Sequence, residues 1–152
     1  METQETDRTP TVTLAPDVRE WGRLQAFLDG ACARFGVPES VRFDLQLICE
    51  EWFLNVVTHG FRDLARAAGG TGHRPFFRLT VRKNEDGEIA LIFEDNAVPF
   101  DPLAHPEPDL AAETDRRPVG GLGIYLIRRK ADRCAYRRID GLNELTAYKK
   151  IR

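Results

Sequence analysis

Cysteine is scarce: Cys32, Cys49 and Cys134 are scattered over 152 residues with no C-x-x-C pair and no His/Cys spacing suited to a metal. That excludes a disulfide scaffold and a zinc module, and the three are expected to be buried reduced thiols. An excess of one charge is also missing. Lys and Arg number 22 against 24 Asp and Glu, a net charge of -2, so no field draws in nucleic acid or anionic lipid. Long apolar runs are absent too, since stretches such as Val41 to Cys49 are broken by charge well short of the roughly 20 residues that span a bilayer. Met1 to Pro10 is polar and acidic, unlike a signal peptide, and the expectation is a cytoplasmic protein with no membrane role. No internal repeat or low-complexity tract is present.

What is there is ordinary globular material: 42% hydrophobic and 30% charged residues, enough for one domain with its own core. Residues 1–10 read as a disordered tail and 11–152 as a single domain. Thr11 to Leu14 alternates like a short strand. Pro16-Asp17 opens a helix in which Val18, Trp21, Leu24, Leu28 and Cys32 recur at helical spacing until Gly36. Pro38-Glu39-Ser40 starts a second helix, apolar from Val41 to about Thr58. After the glycine-rich connector 67–73, Phe76 to Val81 and Glu88 to Phe93 form a hairpin around Asn84 to Gly87. Asn96 to Pro118 holds five of the nine prolines and no period, a length of loop that suggests a lid. Gly120 to Gly123 leads into a third helix ending near Lys130, and strands 134–139 and 144–151 meet at Asp140-Gly141. This order predicts an α+β, two-layer sandwich: a mixed, mostly antiparallel sheet with three helices on one face.

Three places carry chemistry. On helix two, Asp44, Glu51, Asn55 and Thr58 fall within roughly 60° at 100° per residue, with His59 beside them. The stripe is either a solvated edge or the wall of a cleft; the apolar remainder of the helix favours the cleft. A carboxylate one turn before an amide suits phosphoryl transfer, with Asn55 offering an oxygen to Mg²⁺ and Glu51 orienting or deprotonating a nucleophile. At the end of the hairpin, Asp95 leaves an apolar strand just before Pro99-Phe100-Asp101-Pro102. It is either an Asx turn or an acceptor for an exocyclic amine such as that of adenine, with Phe100 walling the pocket. Glu94 points to the opposite face of the strand. Third, Gly120-Gly121-Leu122-Gly123 precedes a helix, where bare backbone N–H groups can hold phosphate or merely form a hinge. Arg116 and Arg117 lie just upstream.

Taken in order, Glu51-x-x-x-Asn55 with His59-Gly60, Asp95 with Pro99-Phe100-Asp101-Pro102, Gly120-Gly121-Leu122-Gly123, and the closing Asn143-Glu144-Leu145-Thr146 resemble the GHKL nucleotide-binding superfamily. The likeness is strongest to anti-sigma factor serine/threonine kinases of the RsbW and SpoIIAB type, and it runs from about Val12 to Ile151. The resemblance implies a histidine-kinase-like ATPase domain binding ATP and Mg²⁺. In it Glu51 would be the catalytic base and Asn55 the Mg²⁺ ligand. Asp95 would bind the adenine amino group, with Ala97 and Phe100 beside it, Gly120, Gly121, Leu122 and Gly123 would hold the phosphates, and Thr146 would support the adenine pocket. Residues 101–118 would be the ATP lid. The implied partners are a STAS-domain anti-sigma factor antagonist and a sigma factor, with a possible homodimer. A non-catalytic module that only sequesters a partner is the alternative. Ala97 stands where the family's Asp-x-Gly has glycine: with negative φ its methyl costs little, with positive φ about 1 kcal/mol.

Overall fold

A computed structural model describes residues 9–61, 74–104 and 121–151. The N-terminal tail to residue 8, the 67–73 connector, the lid beyond Ala104, Arg116, Arg117 and Gly120 lie outside these residues.

Strand β1 (Thr11–Leu14) leads to a 3₁₀ turn, Val18–Glu20, capped by the Asp17 carboxylate accepting from the Arg19 N–H at 2.9 Å. Helix α1 (Trp21–Arg34) buries Leu24, Leu28, Ala31 and Cys32, one stripe at helical spacing. It stops where Gly36 takes φ +67, so that Val37 N–H reaches Cys32 C=O at 2.9 Å and Gly36 N–H reaches Ala33 C=O at 3.2 Å. That is the left-handed glycine closure expected of a helix end. Helix α2 (Glu39–Asn55) buries Leu45, Ile48, Cys49, Trp52 and Phe53 and passes directly into a π-helical turn, Val56–Gly60. Strands β2 (Phe77–Lys83) and β3 (Glu88–Asp95) form the first hairpin, helix α3 (Gly121–Lys130) follows, and β4 (Arg133–Ile139) and β5 (Leu142–Lys150) form the second. Asp140 (φ 51) and Gly141 (φ 78) are both left-handed, as a two-residue hairpin turn requires.

The sheet order is β1-β2-β3-β5-β4. All four pairings are antiparallel, so among the described strands the sheet is not the mixed one that was expected. One face carries the core: Phe77, Leu79 and Val81 of β2, Leu91 and Phe93 of β3, and Leu145 and Ala147 of β5 meet α1 and α2. Phe77 sits edge-on to Phe53 at 5.1 Å and tilted to Phe93 at 5.9 Å. The other face is charged, with Arg78 to Glu94 at 3.8 Å and Arg137 to Glu144 at 2.7 Å. Cys32 and Cys49 are buried, Cys134 is half-buried, and all three are reduced. Burial pushes the Cys32 thiol up to about 11, far from thiolate chemistry at neutral pH. Among the described residues no helix is long and apolar enough to cross a membrane.

Candidate functional site

Two hollows adjoin where the end of α2 faces the end of β3 and the start of α3. The first is lined by Trp52, Asn55, Val56, His59, Gly60, Asp95, Ala97, Val98, Phe100 and Asn143. The second is lined by Glu51, Leu54, Asn55, Thr58, His59 and Gly123. Asn55 and His59 line both, so they mark the seam. The helix changes to π geometry immediately after Asn55; such turns concentrate at functional sites because they redirect side chains that a regular helix would carry past.

Asp95 is the last residue of β3 and only 1% exposed. Its Oδ1 accepts from the Ala97 N–H at 3.1 Å and from Asn143 Nδ2 at 3.0 Å. Its Oδ2 is buried without a partner. Burial raises the carboxyl above its ordinary value, against the pull of Asn143, the Ala97 N–H and the Arg138 charge. A buried carboxylate oxygen without a hydrogen-bond donor is costly, and a ligand donor offsets that cost. Asn143 holds this end together: Nδ2 also donates to Val98 C=O at 2.9 Å, while Oδ1 accepts from the Phe100 N–H at 3.2 Å and from the Tyr136 hydroxyl. Arg138 donates to Ala97 C=O at 2.9 Å.

Ala97 does not have positive φ, since Asp140 is the positive-φ non-glycine among the described residues. Its methyl therefore sits without backbone strain, and the room comes from Gly60, where an added Cβ would lie 3.0 Å from the Ala97 Cβ.

At the other end, the Glu51 carboxylate closes on the first turn of α3. A Cβ on Gly123 would come within 2.7 Å of Glu51 Oε2, so glycine is what permits this approach. Burial, followed by the neighbouring Glu50 charge, raises the Glu51 carboxyl. That moves it toward the range in which a carboxylate serves as a general base near neutral pH.

The sequence model of the histidine kinase-like ATPase domain matches residues 14–149. The chain belongs to that family. It is also 33% identical over 136 residues to a serine/threonine-protein kinase, BtrW, of Bordetella bronchiseptica, a match covering 90% of this chain and 85% of that protein. The described sheet, with three helices on one face, is the architecture of a GHKL-type ATPase domain.

Set on this ATPase fold, the sequence-predicted residues divide. Asn55, Asp95, Ala97 and Phe100 line the first hollow, and Glu51, Asn55 and Gly123 the second. Gly121 begins α3. Leu122, 45% exposed, lines neither hollow. Thr146 is on the wrong side: it pairs with Ile92 and Ala135 and faces a groove on the charged side of the sheet with Arg82, Glu144 and Tyr148. The reason is parity, since β5 alternates faces and Asn143, opposite Asp95, is three residues from Thr146. Asp44 also leaves the cleft, pairing with Lys130 at 3.6 Å and Lys149 at 3.4 Å. Missed by sequence reasoning was Asn143 as the polar hub; Trp52, which also lines the first hollow, reads as plain core because it stands in an apolar run. For Asn143 a signal existed, because pairing β5 against β3 puts it beside Asp95.

Among the described residues no three His, Cys, Asp or Glu side chains form a metal site by themselves. The donor set at the seam suits a hard cation held by Asn55 together with phosphate oxygens and water, the manner in which Mg²⁺ is bound.

Proposed function

We propose that this chain is an ATP- and Mg²⁺-dependent protein serine/threonine kinase, acting in the cytoplasm as an anti-sigma factor on a STAS-domain antagonist. The observation that carries the nucleotide reading is the unpartnered Asp95 Oδ2 in a hollow that continues, through Asn55, to Glu51 and Gly123. An aromatic amine is the donor that this oxygen lacks, and adenine brings one. Phosphates directed toward α3 would meet its N-terminal backbone N–H groups and the positive end of its dipole.

Mg²⁺, when bound at Asn55, would neutralise phosphate charge. Glu51 would orient a serine or threonine hydroxyl of the antagonist and take its proton, a role its raised carboxyl suits. The name of the Bordetella relative supports protein phosphorylation as the chemistry, and the resemblance to anti-sigma factor kinases supports the antagonist as substrate and a sigma factor as the other partner. A homodimer is the assembly this reading favours. Ala97 in place of glycine adds no backbone strain to this reading.

Calorimetric titration with ATP, with and without Mg²⁺, tests the pocket; absence of binding ends the proposal. Labelled ATP and a STAS-domain protein then test the chemistry. Glu51→Ala should abolish transfer of label while ATP still binds, and equal transfer by variant and parent would remove Glu51 from the mechanism. A protein that binds ATP and labels no antagonist is a sequestering module instead.

A further inference from the structure

Three buried side-chain polar atoms among the described residues have no hydrogen-bond partner: Gln46 Oε1, Asp95 Oδ2 and Trp52 Nε1. Two of the three belong to residues that line the first hollow. Native proteins leave few such orphans, and an indole N–H that is buried generally finds an acceptor. Trp52 is 2% exposed, held in α2 one residue after Glu51, and its ring stacks on Phe100 at 6.4 Å and 26°. Its indole N–H is thus a buried donor without an acceptor, on a residue that lines the same hollow as Asp95, whose carboxylate has an acceptor without a donor.

The two orphans are chemically opposite, and adenine offers their complement. Its exocyclic amino group is a donor, and on either side of it lies a ring nitrogen that accepts. Guanine has a carbonyl oxygen in place of that amine, which would face the Asp95 carboxylate acceptor to acceptor. We propose that Trp52 is a specificity-determining residue of the nucleotide site, its Nε1–H donating to the ring nitrogen beside the amino group that Asp95 Oδ2 receives. The proposal rests on the nucleotide reading above and adds to it a second base contact from helix α2. Catalysis is not involved; Trp52 reads the base, while Glu51 at the preceding position of the helix lines the second hollow, toward the phosphate end.

The test compares ATP with 1-deaza-ATP and 7-deaza-ATP, each lacking one of the two candidate nitrogens, by calorimetric titration of the full chain. The wild-type protein should bind one analogue about tenfold more weakly than ATP, the value of one neutral hydrogen bond. Trp52→Phe should bind ATP and that analogue alike. A variant that still discriminates as the parent does, or a parent that binds all three nucleotides alike, overturns the proposal. Should Trp52→Phe fail to fold, Trp21→Phe keeps the question open to measurement, since the chain has two tryptophans and Trp52 is then the remaining one. Its indole ¹⁵N–¹H signal should move downfield on saturation with ATP and not with the discriminated analogue; a signal unmoved by ATP overturns the assignment. If the wild-type chain binds no ATP at all, the nucleotide reading falls with it, whereas ATP binding indifferent to Trp52 sinks this inference alone.

Discussion

Asp95→Asn exchanges a buried carboxylate for a neutral amide of the same shape. Oδ1 must go on accepting from the Ala97 N–H and from Asn143 Nδ2, so the new NH₂ takes the place of the unpartnered Oδ2. Two opposite effects follow. Burial raises the Asp95 carboxyl above its ordinary 3.8. The folded state thus holds a proton more tightly than the unfolded one, and that contribution to stability is whole below about pH 3.8 and lost as pH rises through the folded value. At neutral pH the buried charge is a net cost. Asparagine does not titrate, so the variant should be more stable than the parent at pH 7, by about 1 kcal/mol once its own unmade N–H bond is charged against the gain. The advantage should vanish toward pH 4. Nucleotide binding should move the other way. Losing a hydrogen bond to a charged acceptor costs about 1.5–3 kcal/mol, and a donor now faces the adenine amine, so affinity should fall about 100-fold. Urea unfolding at both pH values, paired with calorimetric titration of ATP, measures both. A variant destabilised at pH 7 that binds ATP like its parent would show that the carboxylate is structural and refute the reasoning.

Gly60→Ala should destabilise the protein by about 1–2 kcal/mol through overpacking against the Ala97 methyl, and Ala97→Gly in the same chain should recover most of it; denaturant midpoints of the four proteins in the cycle give the coupling. Gly123→Ala should leave stability unchanged or slightly raised, because the obstruction is a carboxylate that can swing aside and alanine favours the helix. Phosphotransfer should nevertheless fall by about 100-fold, since Glu51 is displaced from its working position; a loss of melting temperature parallel to the loss of activity would point to misfolding instead. The rate of transfer should decline as pH falls through the Glu51 carboxyl, above its ordinary 4.5, because the base works only when deprotonated. A rate flat down to pH 4.5 would contradict that role.

Much of the fold was legible because its punctuation is chemical. Gly36, Gly87 and Asp140-Gly141 all adopt the positive φ that their residue types suggest, and the helices and strands between them follow from periodicity. The site was less legible. Asp95 at a strand exit, and Glu51 one turn before Asn55, could be found from spacing. Asp44 shares their stripe, but eleven positions of helix, about 16 Å, separate it from Asn55, and the lysines of α3 and β5 meet it there. Thr146 failed on strand parity, which a motif does not carry but a register does. The π turn after Asn55 has no residue signature, and Trp52 reads as plain core within an apolar run because its unpartnered atom is visible only in three dimensions.

Antiparallel pairing of β1 with β2 has a kinetic consequence. The two hairpins of the sheet close locally, through Asn84–Gly87 and Asp140-Gly141, whereas Thr11 meets Thr80 across 69 positions of chain that contain both α1 and α2. Loop closure over such a span precedes any reward from contact. The N-terminal strand, at the edge of the sheet, should thus join it late and leave it early, and its amides should exchange with deuterium long before those of β3 and β5 at the centre.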